Sequence, residues 1–431
     1  MPSIPPLSQE LHAGRADALL SRLYGGKADK LARQRQRYIN LLSKYQSIFP
    51  ETREVEFFST PGRTEVGGNH TDHNSGRVLA AAVDLDAVAV VSKNDEGIIT
   101  VQSEGYPLDI ISINELLSVP AEKYTSAALI RGVCNRFEQL GYRIGGFNAY
   151  INSDVLKGSG LSSSAAYEVL IGTILNFLYN GGKINPITVA QVGRYAENHY
   201  FGKPCGLMDQ ITAAVGGFVT IDFKDSLTPL VKRVNFDFSN SRYTLVIVDT
   251  GGNHADLNED YASVEQEMKS VAQALGGTVL REFSKKKVLE NIPALRDKVS
   301  DRAILRALHF YDDDQRVVEE VKALEDNDFQ RFLSLVILSG RSSWMLNQNC
   351  YSTRNVGEQG VSVALAVSEN ILKGRGAWRV HGGGFAGTIQ AFVPDDLLEG
   401  YLRELRSIYG DQSCYELMIR QMGTTMIPFE I

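Results

Sequence analysis

The sequence predicts an α+β fold with strands and helices mixed along the chain. Three observations carry this. Short β-like runs crowd into residues 55–103, a strand-like run passes through a glycine-rich turn into a helix-like run at 147–179, and residues 283–347 are rich in charges with Leu at helical spacing. A change of texture near 225–240 marks a boundary. The expected units are a helical N-terminal extension at 1–50, a first domain at 51–235 and a second at 236–431.

In chain order, residues 8–50 read as helix, with Leu19, Leu23, Leu31, Ile39, Leu42 and Tyr45 as apolar positions and a break at Gly25-Gly26. Strands are expected at Val55–Ser59, Val78–Val83, Ala87–Ser92 and Gly97–Ser103, then a helix at Tyr124–Leu140 stopped by Gly141. Phe147, Ala149 and Ile151 alternate with polar neighbours, which predicts a strand over 147–152. Ala166, Leu170, Ile174 and Leu178 predict a helix over 162–179. Thr188-Val189-Ala190-Gln191 has the form of a capping box and is expected to start the next helix, which Gly202 and Pro204 stop. Strands follow at Val215–Phe223, Tyr243–Asp249 and Thr388–Val393, and a helix at Leu397–Ile408.

Composition bounds the function. Hydrophobic content of 43% and charged content of 22% over 431 residues are ordinary for a globular protein. A formal charge of −7 gives no electrostatic reason to expect nucleic acid. The basic run Lys27, Lys30, Arg33, Arg35, Arg37 reads as the solvated face of a helix. The first residues have neither a charged n-region nor an apolar core, so no signal peptide is expected, and the apolar runs are too short or too acidic to span a bilayer. Cys134, Cys205, Cys350 and Cys414 form no C-x-x-C pair. A cytoplasmic monomer with reduced thiols is the expectation.

Four stretches could carry chemistry. Lys157-Gly158-Ser159-Gly160-Leu161-Ser162-Ser163-Ser164 lies between the strand at 147 and the helix after it. Glycines there permit close backbone approach, the helix N-terminus favours an anion, and hydroxyls add donors; the plain alternative is a serine cap after a turn. Pro61-Gly62-Arg63 to Gly76 packs Arg63, Asn69, His70, Asp72 and His73 between glycines, as a binding loop does, though without a third zinc ligand at useful spacing. Glu197 and Asp209 flank a Gly/Pro turn, and could divide metal binding from proton abstraction. His381-Gly382-Gly383-Gly384-Phe385 permits close approach to a ligand or another loop. Neither a Walker A lysine after the glycines nor a dinucleotide fingerprint is present.

Together these stretches resemble the GHMP superfamily of small-molecule kinases, its galactokinase branch in particular, in the family's order over about residues 58–390. The carriers are Gly160-Leu161-Ser162-Ser163-Ser164-Ala165, the stretch from Thr60 through His70-Thr71-Asp72 to Leu79, Pro204-Cys205-Gly206-Leu207-Met208-Asp209-Gln210 and Gly382-Gly383-Gly384-Phe385. The resemblance implies a two-domain fold, with a ribosomal protein S5 domain 2-like first domain and a ferredoxin-like second one. It implies ATP on Gly158, Ser159, Gly160, Leu161, Ser162, Ser163 and Ser164, and Mg²⁺ held by Ser164 and Glu197. Asp209 would take or orient the proton of a sugar's anomeric hydroxyl, with Arg63 beside it. Asn69, His70, Asp72, Gly206 and Tyr261 would contact the sugar.

The implied reaction is phosphorylation of galactose to galactose 1-phosphate. One departure bears on the substrate: Gly68-Asn69-His70-Thr71-Asp72-His73 stands where galactokinases usually carry Gly-Glu-His-x-Asp-Tyr. That Glu accepts the sugar's 6-hydroxyl in the family, and Asn can donate as well as accept. A C6-modified sugar such as galacturonate is therefore one alternative, and a catalytically weak sugar- and ATP-binding regulator another. Leu156 where Pro is common, Ala262-Ser263-Val264 where basic residues are common, and an extension of about fifty residues are further departures.

Overall fold

The computed structural model describes residues 1–155, 161–252 and 257–429. Three helices open the chain: α1 (Ile4–His12), α2 (Asp17–Tyr24) and α3 (Ala28–Ile48), the last two separated at Gly25-Gly26. There follow β1 (Glu56–Gly67), β2 (Arg77–Lys93), β3 (Ile98–Ser103), β4 (Leu108–Ser112), α4 (Ser126–Gln139), β5 (Phe147–Ser153), α5 (Ser163–Asn180), α6 (Pro186–Ala196), α7 (Met208–Val215), β6 (Phe218–Asp222) and β7 (Leu230–Val234). The remainder is β8 (Tyr243–Asp249), α8 (Asn258–Ala274), α9 (Lys285–Glu290), α10 (Ile292–Arg296), α11 (Asp301–Glu325), α12 (Phe329–Ser342), α13 (Gly360–Leu372), β9 (Ala377–Val380), β10 (Thr388–Pro394), α14 (Asp395–Tyr409), β11 (Cys414–Leu417) and β12 (Thr425–Ile427).

The strands form two sheets. The larger runs β12-β1-β2-β5-β3-β4, with β6 joining β2 and β7 beyond it; the smaller runs β11-β8-β10-β9. The chain is thus mixed α/β, and β12, from the far end of the sequence, completes the sheet begun by β1. β2 is one strand where the sequence reads as two, because Asp84 and Asp86 at its middle are buried and paired rather than turned outward. Both faces of β2 are covered: Val88 and Val90 pack with α3, Ala87, Ala89 and Val91 with α4 and α5. A run buried on both sides loses the apolar–polar alternation that marks a half-exposed strand.

Two expectations are corrected. The helix at 186 is capped by Asn185, whose side chain accepts from the Ile187 amide at 2.8 Å, with Pro186 in the first turn; Thr188 lies inside the helix and caps nothing. The basic run is only in part a solvated face: Lys27 and Arg33 are exposed, but Arg37 and Lys30 turn inward onto Asp86 and Asp84, with side chains 10% and 21% exposed. Among the described residues no helix is long and apolar enough to cross a membrane.

Candidate active site

β1 runs through Pro61-Gly62, and its register shifts between Pro61 and Arg63. Proline has no amide hydrogen for the ladder, so a strand that contains it bulges, and a bulge re-aims the next side chain. Arg63, back in the ladder opposite Ala82, donates from Nε to Asp209 Oδ1 at 2.7 Å. Asp209 stands in the first turn of α7, where the helix dipole favours a negative charge. Its other oxygen accepts from the Ser162 hydroxyl. Burial alone would raise the Asp209 carboxyl, but Arg63's charge and the two hydrogen bonds outweigh it and hold it below the ordinary aspartate value.

Ser162 settles how the serines after the glycines are used. It occupies the cap position of α5 in the left-handed region, at φ 58°, yet its hydroxyl goes to Asp209 and not to the helix amides. Such a conformation in a non-glycine residue costs on the order of 1 kcal/mol and persists where surrounding contacts dictate it. Ser164, one turn into α5, donates to Glu197 Oε1 at 2.9 Å. Leu161 is buried in the core, and its carbonyl accepts from the Arg63 amide at 3.2 Å. Gly158, Ser159 and Gly160, expected on the same loop, lie outside the described residues.

Glu197 is 2% exposed, and α6 widens into a single π-helical turn at this residue. Its second oxygen accepts from Gln210 Nε2 at 3.1 Å, and the same amide reaches Glu168 Oε2 at 3.2 Å. Burial, then the neighbouring Glu197 charge, raises the Glu168 carboxyl well above its ordinary value, and its other oxygen has no protein partner. Glu168 and Gln210 were not foreseen: Glu168 sits on an otherwise apolar helix face, the one sequence signal that could have found it. The Ser164 hydroxyl and Glu197 carboxylate are two hard oxygen donors of the kind Mg²⁺ takes. No group of three His, Cys, Asp or Glu side chains among the described residues could enclose a metal, so such an ion would need oxygens from elsewhere, as an ion carried on phosphates has.

The sugar-loop residues divide. Asp72, 24% exposed, lies beside Gly206: a Cβ on that glycine would stand 3.5 Å from Asp72 Oδ2. Tyr261, on α8, packs over Gly383 and donates to the Gly384 carbonyl at 3.1 Å. His70, in the left-handed region, places Nε2 2.9 Å from the Gly383 carbonyl, and burial followed by the charge of His73 lowers it to about 4.

Asn69 is placed differently from the expectation that it reads the sugar. It is fully buried, and its amide donates to Glu65 Oε1 at 3.0 Å and to the Gly382 carbonyl at 2.7 Å. Its oxygen accepts from Asn349 at 2.9 Å and Ser343 at 3.2 Å. Glu65 in turn is bonded by the buried Arg379 at 2.7 Å. Asn69 therefore ties the sugar loop to the glycine-rich loop at 382–384 through protein partners on both of its polar atoms.

Comparison with known proteins bears on both halves of this site. Residues 128–217 match the GHMP kinases N terminal domain, and residues 43–93 the galactokinase galactose-binding signature. A galactokinase of Clostridium beijerinckii is 29% identical over 391 residues, 88% of this chain and 95% of that one. The fold superposes on the Lactococcus lactis galactokinase complexed with galactose with a TM-score of 0.74 at 23% identity, over 89% of this chain and 98% of that one. Methanococcus jannaschii mevalonate kinase gives 0.61 at 15% identity, over 85% and 98%.

Proposed function

We propose, from the matches to the GHMP kinases N terminal domain and the galactokinase galactose-binding signature, that the chain transfers a phosphoryl group from ATP to the anomeric hydroxyl of galactose. The observation that carries this reading is the Arg63–Asp209 pair at 2.7 Å, supported by the Asp72–Gly206 contact and the Ser164–Glu197 pair. Asp72 and the Gly206 backbone receive ring hydroxyls in this reading, and Tyr261 covers the sugar. Asp209, kept ionised by Arg63, accepts the hydrogen bond of the anomeric hydroxyl and takes its proton as the oxygen becomes bonded to phosphorus. A carboxylate held below its ordinary value is a poor base toward a free alcohol, so orientation is its larger contribution.

Arg63 has a second task, offering positive charge beside the transferring group. Phosphoryl transfer needs alignment and charge neutralisation more than covalent help. Leu161 to Ser164 and the N-terminal turn of α5 lie where nucleotide phosphates would be cradled. Ser164 and Glu197 are the residues that would hold Mg²⁺, which supplies neutralisation of phosphate charge when bound. The galacturonate alternative rested on Asn69, whose polar atoms are engaged by protein, so no feature of the site favours it over galactose.

Steady-state ADP release over a panel of hexoses and hexuronates tests the assignment. Galactose should give the highest kcat/KM, and a preference for galacturonate overturns it. Absence of turnover on every sugar, with sugar-dependent thermal stabilisation retained, indicates a regulator instead.

A further inference from the structure

We propose that the N-terminal helix α3 is part of the phosphate-binding apparatus: Arg37, assisted by Arg33, holds Asp154 and so sets Val155, which packs with Leu161 at the serine turn into α5. The inference rests on the nucleotide reading above. Lys30, Arg33 and Arg37 are three and four residues apart on α3 and share one face. Arg37 Nε donates to Asn152 Oδ1 at 2.6 Å and Nη1 to Asp86 Oδ1 at 2.7 Å. Nη2 reaches the carbonyls of Asp86 at 3.0 Å and Asn152 at 3.3 Å. The same guanidinium lies 3.3 Å from Asp154 Oδ2, and Arg33 lies 3.7 Å from that oxygen. Asp154 itself donates its amide to the Asp86 carbonyl at 2.9 Å. One planar, many-donor group thus engages Asn152 and Asp154 at the outgoing strand end together with Asp86, which a single ammonium could not do.

From Asp154 the contacts continue into the site. Val155, next in the chain, is buried with Leu161, and both crowd Gly62: a Cβ there would lie 3.2 Å from Val155 Cγ1 and 3.1 Å from the Leu161 carbonyl. The Leu161 carbonyl accepts the Arg63 amide, and Ser162 bonds Asp209. Arg33, Asp154 and Val155 line the same open cleft as Ser163 and Ser164. Stability alone would need Arg37 to meet only the buried Asp86. Asp154 is 30% exposed at the cleft, and the grip on it has a use where the adjoining chain must be held against a bound polyanion. Arg37 and Asp154 are positioning residues: neither needs to touch the nucleotide.

Asp154→Asn removes the charge at the cleft while leaving Arg37 on Asp86, and Arg37→Lys keeps the charge but loses the fork. For both, calorimetric binding of the non-hydrolysable analogue AMPPNP should weaken about tenfold, with KM for ATP rising in parallel. KM for the sugar should stay within about twofold, and the Asp154→Asn unfolding midpoint should match the parent's. The proposal is overturned if Asp154→Asn binds AMPPNP as the parent does. It is equally overturned if nucleotide and sugar affinities fall together with the unfolding midpoint, the pattern of a merely structural contact. A parent protein that itself binds no AMPPNP refutes the nucleotide reading, and the anchor with it, a result distinct from either.

Discussion

Two arginine–aspartate pairs in this molecule have the same 2.7 Å contact and opposite surroundings. Arg37–Asp86 is sealed: Asp86 is fully buried and also bonded by Arg420, Tyr24 and Ser59. Arg63–Asp209 is half-open: the Asp209 side chain is 31% exposed, and Ser162 adds the other hydrogen bond. In both, burial pushes the carboxyl up and the guanidinium pulls it further down, so both aspartates stay ionised. Asp86 spends its lone pairs on four protein groups from the extension, the large sheet and the C-terminal segment. Asp209 is bonded by two protein groups and stays part-exposed, where the proposed function puts a substrate hydroxyl. A charged pair joins elements when its remaining valences are filled from within, and can meet a ligand when its carboxylate is left part-exposed.

The comparison breaks most sharply under substitution. Asp209→Asn should lower kcat by about 10³- to 10⁴-fold, with the unfolding midpoint unchanged, by steady-state assay and thermal melt. Retained turnover would put proton handling elsewhere. Asp86→Ala should do the reverse, costing about 3–5 kcal/mol in denaturant unfolding because it strands two buried guanidinium groups, while protein still folded keeps its sugar KM. Smaller is the effect of Asn69→Glu, which sets a carboxylate beside that of Glu65. A loss of about 2 kcal/mol without a gain in galactose kcat/KM is expected, partly recovered when Glu65→Asn is added. A lower galactose KM in Asn69→Glu would return residue 69 to the sugar.

The least effect is a slope. Burial, with Arg63 and Arg379 next, holds His381 down to about 3, and His70 lies near 4. Below about pH 6.5 the unfolded chain binds protons that these folded-state rings refuse. Their contribution is therefore whole above that pH and is lost as pH falls toward the folded values. Each gives roughly 1.4 kcal/mol per pH unit of slope, and His381→Asn should remove one share from the unfolding free energy measured between pH 6 and 4.5.

Much of this was legible in the sequence. Glycines and Pro61 announced where backbone approaches closely, and the family resemblance implied a shared site for Arg63, Asp209, Ser164 and Glu197. What the sequence hid was direction. Asn69 looked like a sugar contact because the resemblance sets it where galactokinases carry Glu. Only its bonds to the buried Glu65–Arg379 pair and the 382–384 loop reveal that its side chain faces inward. Arg37 looked like surface because its partners, Asp86 and Asp154, are 49 and 117 positions away, and no local pattern encodes so distant a pairing. Glu168 shows in the sequence only as a lone acid on the apolar α5, with its partners Glu197 and Gln210 far along the chain. The small strand β12 has too few residues to carry a period.

That last strand bears on how the protein is made. β1 pairs with β2 almost at once, but its other edge waits for Thr425–Ile427, about 360 residues later. At usual ribosomal rates the delay is roughly 20 to 70 s. Throughout it the strand that carries Arg63 offers unpaired backbone groups on the side of Phe57, Phe58 and Ser59, and open edges recruit neighbouring chains. α1–α3 emerge before β1 and bury Phe57 against Tyr38. In the nascent chain the extension is a built-in cover for a strand whose proper neighbour has yet to be synthesised.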